Sequence, residues 1–277
     1  MKKRKIILIT FIGLFAIIGL IFVGVFIAMK LHLTNSVGVI DNKFIQGKGY
    51  STQTNQTLST LTTGTWSQTT EWQTLKTAIS KDANLINGVS AITNVPSRII
   101  ITPLVVEQLR LYNSERETFK QFFQPLNILG SQTQFSWGVM GFKELTAKEV
   151  EDNLKNTKSP YYLGTQYESL LDFQTTDTTT ERFTRLTDAK NHYYSYLYTA
   201  LYIKEIETQW KNSGFDISNR PEIIATLFNI GFDHSTPNVN PQVGGAEIDI
   251  NSSKYSFGGL GGDFYLSNEL SDLFPKN

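Results

Sequence analysis

The chain contains no cysteine. That excludes a disulfide framework, a thiolate metal site, a cysteine nucleophile and a lipidated N-terminal cysteine. Histidine is nearly as scarce: His32, His192 and His234 are the complete set. No HExxH or other close ligand pair exists, which argues against a zinc hydrolase. Asp233-His234-Ser235 holds triad residue types, but immediate neighbours in sequence rarely converge as a triad. Charge is sparse as well, with 18% of residues charged and a formal net charge of zero. Its distribution is uneven. Lys2, Lys3, Arg4, Lys5 and Lys30 flank an apolar segment, leaving 20 cations against 25 acids beyond residue 30. Such a body lacks the clustered Lys and Arg that displace counterions from a duplex, so no nucleic acid is expected as a partner.

What is present begins with Ile6 to Met29, 24 residues without a charge. As a helix this reaches about 36 Å, enough to cross a bilayer core with some tilt. Four preceding cations place the N-terminus in the cytoplasm and the rest of the chain outside. The span closes on Phe26-Ile27-Ala28-Met29-Lys30, which offers no small-x-small cleavage site, so a signal-anchor rather than a cleaved signal peptide is expected. The organisation read from this is a basic tail at 1–5, a transmembrane helix at 6–29, a spacer at 30–70 and a folded domain at 71–277. Residues 51–70 include 16 Ser, Thr, Gln or Asn. They read as an extended stalk or, since Thr favours β structure, as exposed strands.

From Trp72 the periodicity turns helical, with Trp72, Leu75, Ala78 and Ile79 on one face. Further helical blocks are expected at about Ser97–Tyr112, with Pro103 in its first turn, from near Thr146 to Asn156, and across Asp188–Asn212. The last is rich in aromatics: Tyr193, Tyr194, Tyr196, Tyr198, Tyr202 and Trp210. These suit a core, and stacking on sugar rings is the alternative. A fourth block opens at Pro221 near its first position and ends at Gly231. The tail from Asp233 reads as loops. Gly258-Gly259-Leu260-Gly261-Gly262-Asp263 lacks the Lys-Ser/Thr of a phosphate loop and reads as a flexible turn. The fold class is mainly α with a small β element.

Phe135-Ser136-Trp137-Gly138-Val139-Met140-Gly141-Phe142-Lys143-Glu144-Leu145-Thr146-Ala147 resembles the Ser-x-Gly-x-(Met/Ala)-Gln-(Ile/Val)-Lys-x-x-Thr-Ala signature of goose-type lysozymes and lytic transglycosylases. Gly141 stands where Gln is usual. Ala225-Thr226-Leu227-Phe228-Asn229-Ile230-Gly231 resembles the Ala-x-x-Tyr-Asn-x-Gly motif that follows in those enzymes, with Phe228 in place of Tyr. The likeness spans roughly residues 95–235. It implies a lysozyme-like helical domain that cleaves peptidoglycan glycan strands without metal or cofactor. Ser136, Gly138, Met140, Gly141 and Asn229 would line the substrate groove.

The same resemblance implies a catalytic Glu at the end of a buried helix. Glu107 sits in the apolar run Leu104-Val105-Val106-Glu107-Gln108-Leu109. A desolvated carboxyl there is expected to hold its proton and serve as general acid. The alternative is a core-edge Glu paired with Arg110 or Arg98. Glu115 and Glu117 are rivals in a polar run. The 31-residue gap from Glu107 to Gly138 implies an insertion at 113–134. An inverting hydrolase needs a second carboxylate; Lys143 stands near its expected place and Glu144 follows, so lytic transglycosylation is favoured over hydrolysis. A non-catalytic domain that binds glycan or a partner protein is the alternative.

Overall fold

The computed structural model describes residues 19–20, 65–112 and 136–276. The chain divides into two units, Met1–Val37 and Gly38–Asn277. Gly19 and Leu20, the described part of the first unit, are helical. The rest of the expected span at 6–29 lies outside the described residues, as do the spacer up to residue 64 and the segment holding Glu115 and Glu117. No helix among the described residues is long and apolar enough to cross a membrane.

The second unit is mainly helical, with eight α-helices and two two-stranded hairpins among its described residues. Helix α1, Thr70–Lys81, is capped by the Thr69 side chain, which accepts from the Trp72 amide, and buries Trp72, Leu75 and Ile79. The packed body starts earlier than residue 71. Trp66, in a 3-10 turn over Thr65–Gln68, is fully buried and meets Trp72 edge to face at 5.0 Å. One indole's apolar area outweighs the polar composition around it. Helix α2, Ala83–Thr93, ends at Asn94 in the left-handed conformation.

Helix α3 spans Ser97–Tyr112, and 12 of its 16 residues are buried. A helix apolar on all sides belongs at the centre of a protein, and α3 packs against α1, α2 and the later helices. Pro103 is the seventh residue of α3 rather than part of its first turn. Arg98 is fully buried on α3. Its guanidinium donates to the carbonyls of Phe264, Tyr265, Ser267, Glu269 and Phe274, tying the C-terminal tail to the central helix. Burial pushes its pKa down to about 10.

The first hairpin pairs β1, Ser136–Trp137, with β2, Phe142–Lys143. It leads directly into α4, Glu144–Lys155, which buries Ala147, Val150 and Leu154 as their spacing implies. A helix absent from the sequence reading, α5 at Thr178–Thr187, is capped by Asp177. The aromatic helix α6, Tyr193–Asn212, buries Tyr196, Tyr198, Tyr202 and Trp210 and half-buries Tyr193 and Tyr194. Helix α7, Pro221–Ile230, has Pro221 at its start and Gly231 at its end.

The tail is not simply loops. Strands β3, Glu247–Ile250, and β4, Ser253–Ser256, pair across Asn251 and Ser252, both at positive φ. The glycine run is not a flexible turn but helix α8, Phe257–Leu266, capped by Ser256. Its glycines set the α7–α8 distance. A Cβ at Gly258 would meet the Thr226 hydroxyl at 1.9 Å and the Glu222 carbonyl at 2.5 Å; one at Gly261 would meet Ala225 at 2.7 Å. Glycine here is a packing residue, a role that local turn statistics do not reveal.

Candidate functional site

Glu107 lies on the last turns of α3 with its side chain 5% exposed. Its carboxylate faces the four-residue turn of the first hairpin. Gly138 and Gly141 bracket that turn at φ +63° and +64°, and the Gly141 amide donates to the Gly138 carbonyl at 3.2 Å. A Cβ at Gly141 would fall 2.3 Å from Glu107 Oε1. Only glycine satisfies both the backbone angle and the space, so a side chain at this position would collide with the carboxylate. The neighbouring Gln108 donates from Nε2 to the Val139 carbonyl. Gln108 thus ties α3 to the turn by a hydrogen bond, and Glu107 beside it lies close against Gly141.

Other parts of the turn are equally fixed. A Cβ at Gly138 would overlap the Leu186 carbonyl at the end of α5, which accepts the Ser195 hydroxyl from α6. Met140 is buried at 1% exposure. Phe142 packs edge-on to Tyr198, Tyr202 and Phe228 with ring centroids 5.8–6.1 Å apart. That contact joins the hairpin to α7, so the two sequence motifs meet through Phe142 and Phe228. The Ser136 backbone pairs with Lys143.

The carboxylate of Glu107 is not solitary. Arg110, three residues on, donates from Nε to Oε2 at 2.9 Å and from Nη2 to Oε1 at 2.5 Å. The expectation of a lone desolvated acid therefore meets the alternative, a paired one, with Arg110 rather than Arg98 as partner. Asn229 is occupied within the chain: its Oδ1 accepts the Ala246 amide at 2.8 Å and lies against Gly245. Glu144 lies 3.7 Å from Arg182, whose fork binds Glu151 at 2.6 Å through both oxygens; Tyr198 also donates to Glu151.

Sequence reasoning missed the most deeply buried acid near this aromatic cluster. Glu205, on α6, is fully buried; its Oε2 accepts from Asn153 at 3.2 Å, and its Oε1 has no hydrogen-bond partner among the described residues. Burial pushes its carboxyl well above the usual carboxylate range, against the Asn153 hydrogen bond and with help from Glu149. Its register was visible, since Tyr198, Tyr202 and Glu205 fall on one helical face. Nothing local separates such a Glu from a solvated one.

No group of three or more His, Asp or Glu among the described residues is arranged to hold a metal ion. Comparison of the chain with family models, curated proteins and solved structures gives no match.

Proposed function

We propose that the chain is a membrane-anchored enzyme that cleaves peptidoglycan glycan strands by lytic transglycosylation, in a lysozyme-like domain held outside the cell membrane by residues 6–29. The observation that carries this reading is the seat of Glu107, a carboxylate 5% exposed at the end of a buried helix and pressed against the glycine-bracketed turn of the hairpin. In the reaction Glu107 donates a proton to the glycosidic oxygen as the C1–O bond breaks. The resulting carboxylate then takes the proton of the same sugar's C6 hydroxyl as that oxygen bonds to C1, closing a 1,6-anhydro ring. No metal or cofactor enters. The Gly138–Gly141 backbone and Ser136 shape the groove, Met140, 1% exposed, supports them from the core rather than meeting the glycan, and Asn229 holds the Gly245–Ala246 loop.

The test is incubation of the full-length protein, in detergent, with purified cell-wall sacculi and mass analysis of what is released. Anhydro-ended fragments are expected, and Glu107→Gln should lower their release about a hundredfold or more. Release that persists in Glu107→Gln would sink the assignment. A second reading, a non-catalytic glycan-binding or partner-binding domain, is favoured by the Arg110 grip on Glu107 and the occupied Asn229. Sedimentation with sacculi without release would select it.

A further inference from the structure

Tyr202, Glu205 and Gln209 fall on one face of α6, three and four residues apart. The segment Phe232–Ser235 is pinned at both ends of that face. Phe232 packs edge-on to Tyr202 with ring centroids 4.6 Å apart. The Ser235 hydroxyl donates to Gln209 Oε1 at 2.7 Å and accepts the Trp210 indole N–H at 2.9 Å, while its carbonyl accepts from Gln209 Nε2 at 2.9 Å. Between these pins the segment forms a short strap over Glu205, which is 0% exposed, whereas Asp233 and His234 of the strap are exposed. From the other side α4 supplies Asn153, which donates to Glu205 Oε2 at 3.2 Å and is itself held by the Ser159 hydroxyl at 2.8 Å. Tyr161 joins the two sides, its ring against Phe232 and its hydroxyl donating to the Phe232 carbonyl at 3.4 Å.

The charged groups that face this seat are acids: half-buried Glu149, one turn before Asn153 on α4, and Asp233 on the strap. Tyr161 and Tyr202 are the phenols beside them. Of the charges further round, Asp152 pairs with Lys148, Lys204 lies over the Tyr167 ring and Glu207 faces Lys204 and Asp216. An ionised Glu205 would be a buried charge beside another acid, a costly arrangement. Its ionisation is easiest when the strap lifts and water reaches it.

We propose that Glu205 is a proton-operated latch: the Phe232–Ser235 strap closes over its neutral carboxyl and lifts when that carboxyl ionises. Burial holds the closed carboxyl well above its ordinary 4.5, and lifting the strap restores the ordinary value. Closing therefore takes up a proton. Opening is rarest below about pH 4.5 and grows by up to about tenfold per pH unit above it, until the closed carboxyl itself ionises. A lifted strap withdraws Phe232 from Tyr202, whose ring backs Phe142 of the first hairpin at 5.9 Å. The latch stands whether or not the glycan-cleaving reading holds.

The experiment is backbone hydrogen exchange on the full-length protein in detergent, at pH 5 and pH 7, corrected for the intrinsic pH dependence of exchange. The reporters are the amides of His234, Ser235 and Thr236, which bond to the carbonyls of Gly231, Phe232 and His234. Amides of residues 99–106 in the buried α3 report global unfolding. The strap should open at least about tenfold more often at pH 7 than at pH 5, and more often than α3 at both. Glu205→Gln, a neutral mimic of the protonated acid, should keep opening within about threefold over the same interval. His234→Gln should leave the wild-type rise intact, which separates the latch from the histidine on the strap. The latch is overturned by strap exchange that does not change with pH, that occurs only together with α3, that keeps its rise in Glu205→Gln or that loses it in His234→Gln. Should Glu205→Gln not fold, Glu149→Gln supplies the second measurement. With that like charge gone the rise should shrink about twofold or more, and an unchanged rise would count against the latch.

Discussion

Arg98 and Arg110 lie on the same helix and meet burial by different means. Arg110 reaches Glu107 because residues three apart on a helix are neighbours. Arg98 is nine residues back, about 13 Å along the axis, and satisfies its donors on backbone carbonyls of the tail instead. The pairing of Glu107 is thus set by local spacing, but its contact with Gly141 is not. Two glycines separate the contributions at that contact. Gly141 and Gly214 both have positive φ, +64° and +88°, yet an added Cβ meets Glu107 at the first and open space at the second. Gly214→Ala should cost about 1–2 kcal/mol from backbone strain alone. Gly141→Ala should cost about 2–4 kcal/mol, strain and collision together. Urea unfolding of the two variants checks the difference; equal losses would remove the close approach of turn and acid.

At the scale of elements, α8 is where composition misleads. Four glycines in six residues read as a turn, because glycine favours none of the helix conformation over its alternatives. The helix forms since α7 and α3 pack against it, and the glycines let α7 come close. Gly258→Ala should therefore destabilise by about 1–3 kcal/mol despite alanine's better helix propensity. Gly88, on the exposed face of α2, has nothing within 4 Å of an added Cβ. There the same substitution should stabilise by about 0.5–1 kcal/mol. Opposite shifts in melting temperature are the expected result, and a stabilising Gly258→Ala would mean that α7 and α8 are not in close contact.

Across the molecule, buried acids make stability depend on pH. Glu205 is pushed well above its ordinary value by burial, and the partly buried Glu207 is pushed up from 4.5 to about 7 by burial against the pull of Lys204. The folded state keeps protons on these groups that the unfolded chain releases, so their contribution is complete below about pH 4.5 and is lost as pH rises through 7 for Glu207. Stability should fall between those limits, and Glu207→Gln should flatten the fall; denaturation midpoints at pH 5 and 7 test it, and an unchanged slope would contradict the burial of Glu207. Local pattern by itself determined the helical blocks at Ser97–Tyr112 and Pro221–Ile230, the face of α4, the core placement of the aromatic helix and the Glu107–Arg110 alternative, because 3.6-residue periodicity, end residues and near neighbours act within one or two turns. Tertiary structure alone decided that Gly141 abuts Glu107, that the glycine run is a packed helix, that Trp66 joins the core and that Asn229 braces a loop. Each of these rests on atoms brought together from distant parts of the chain, where space and desolvation are set by the partner and not by the residue's own sequence neighbours.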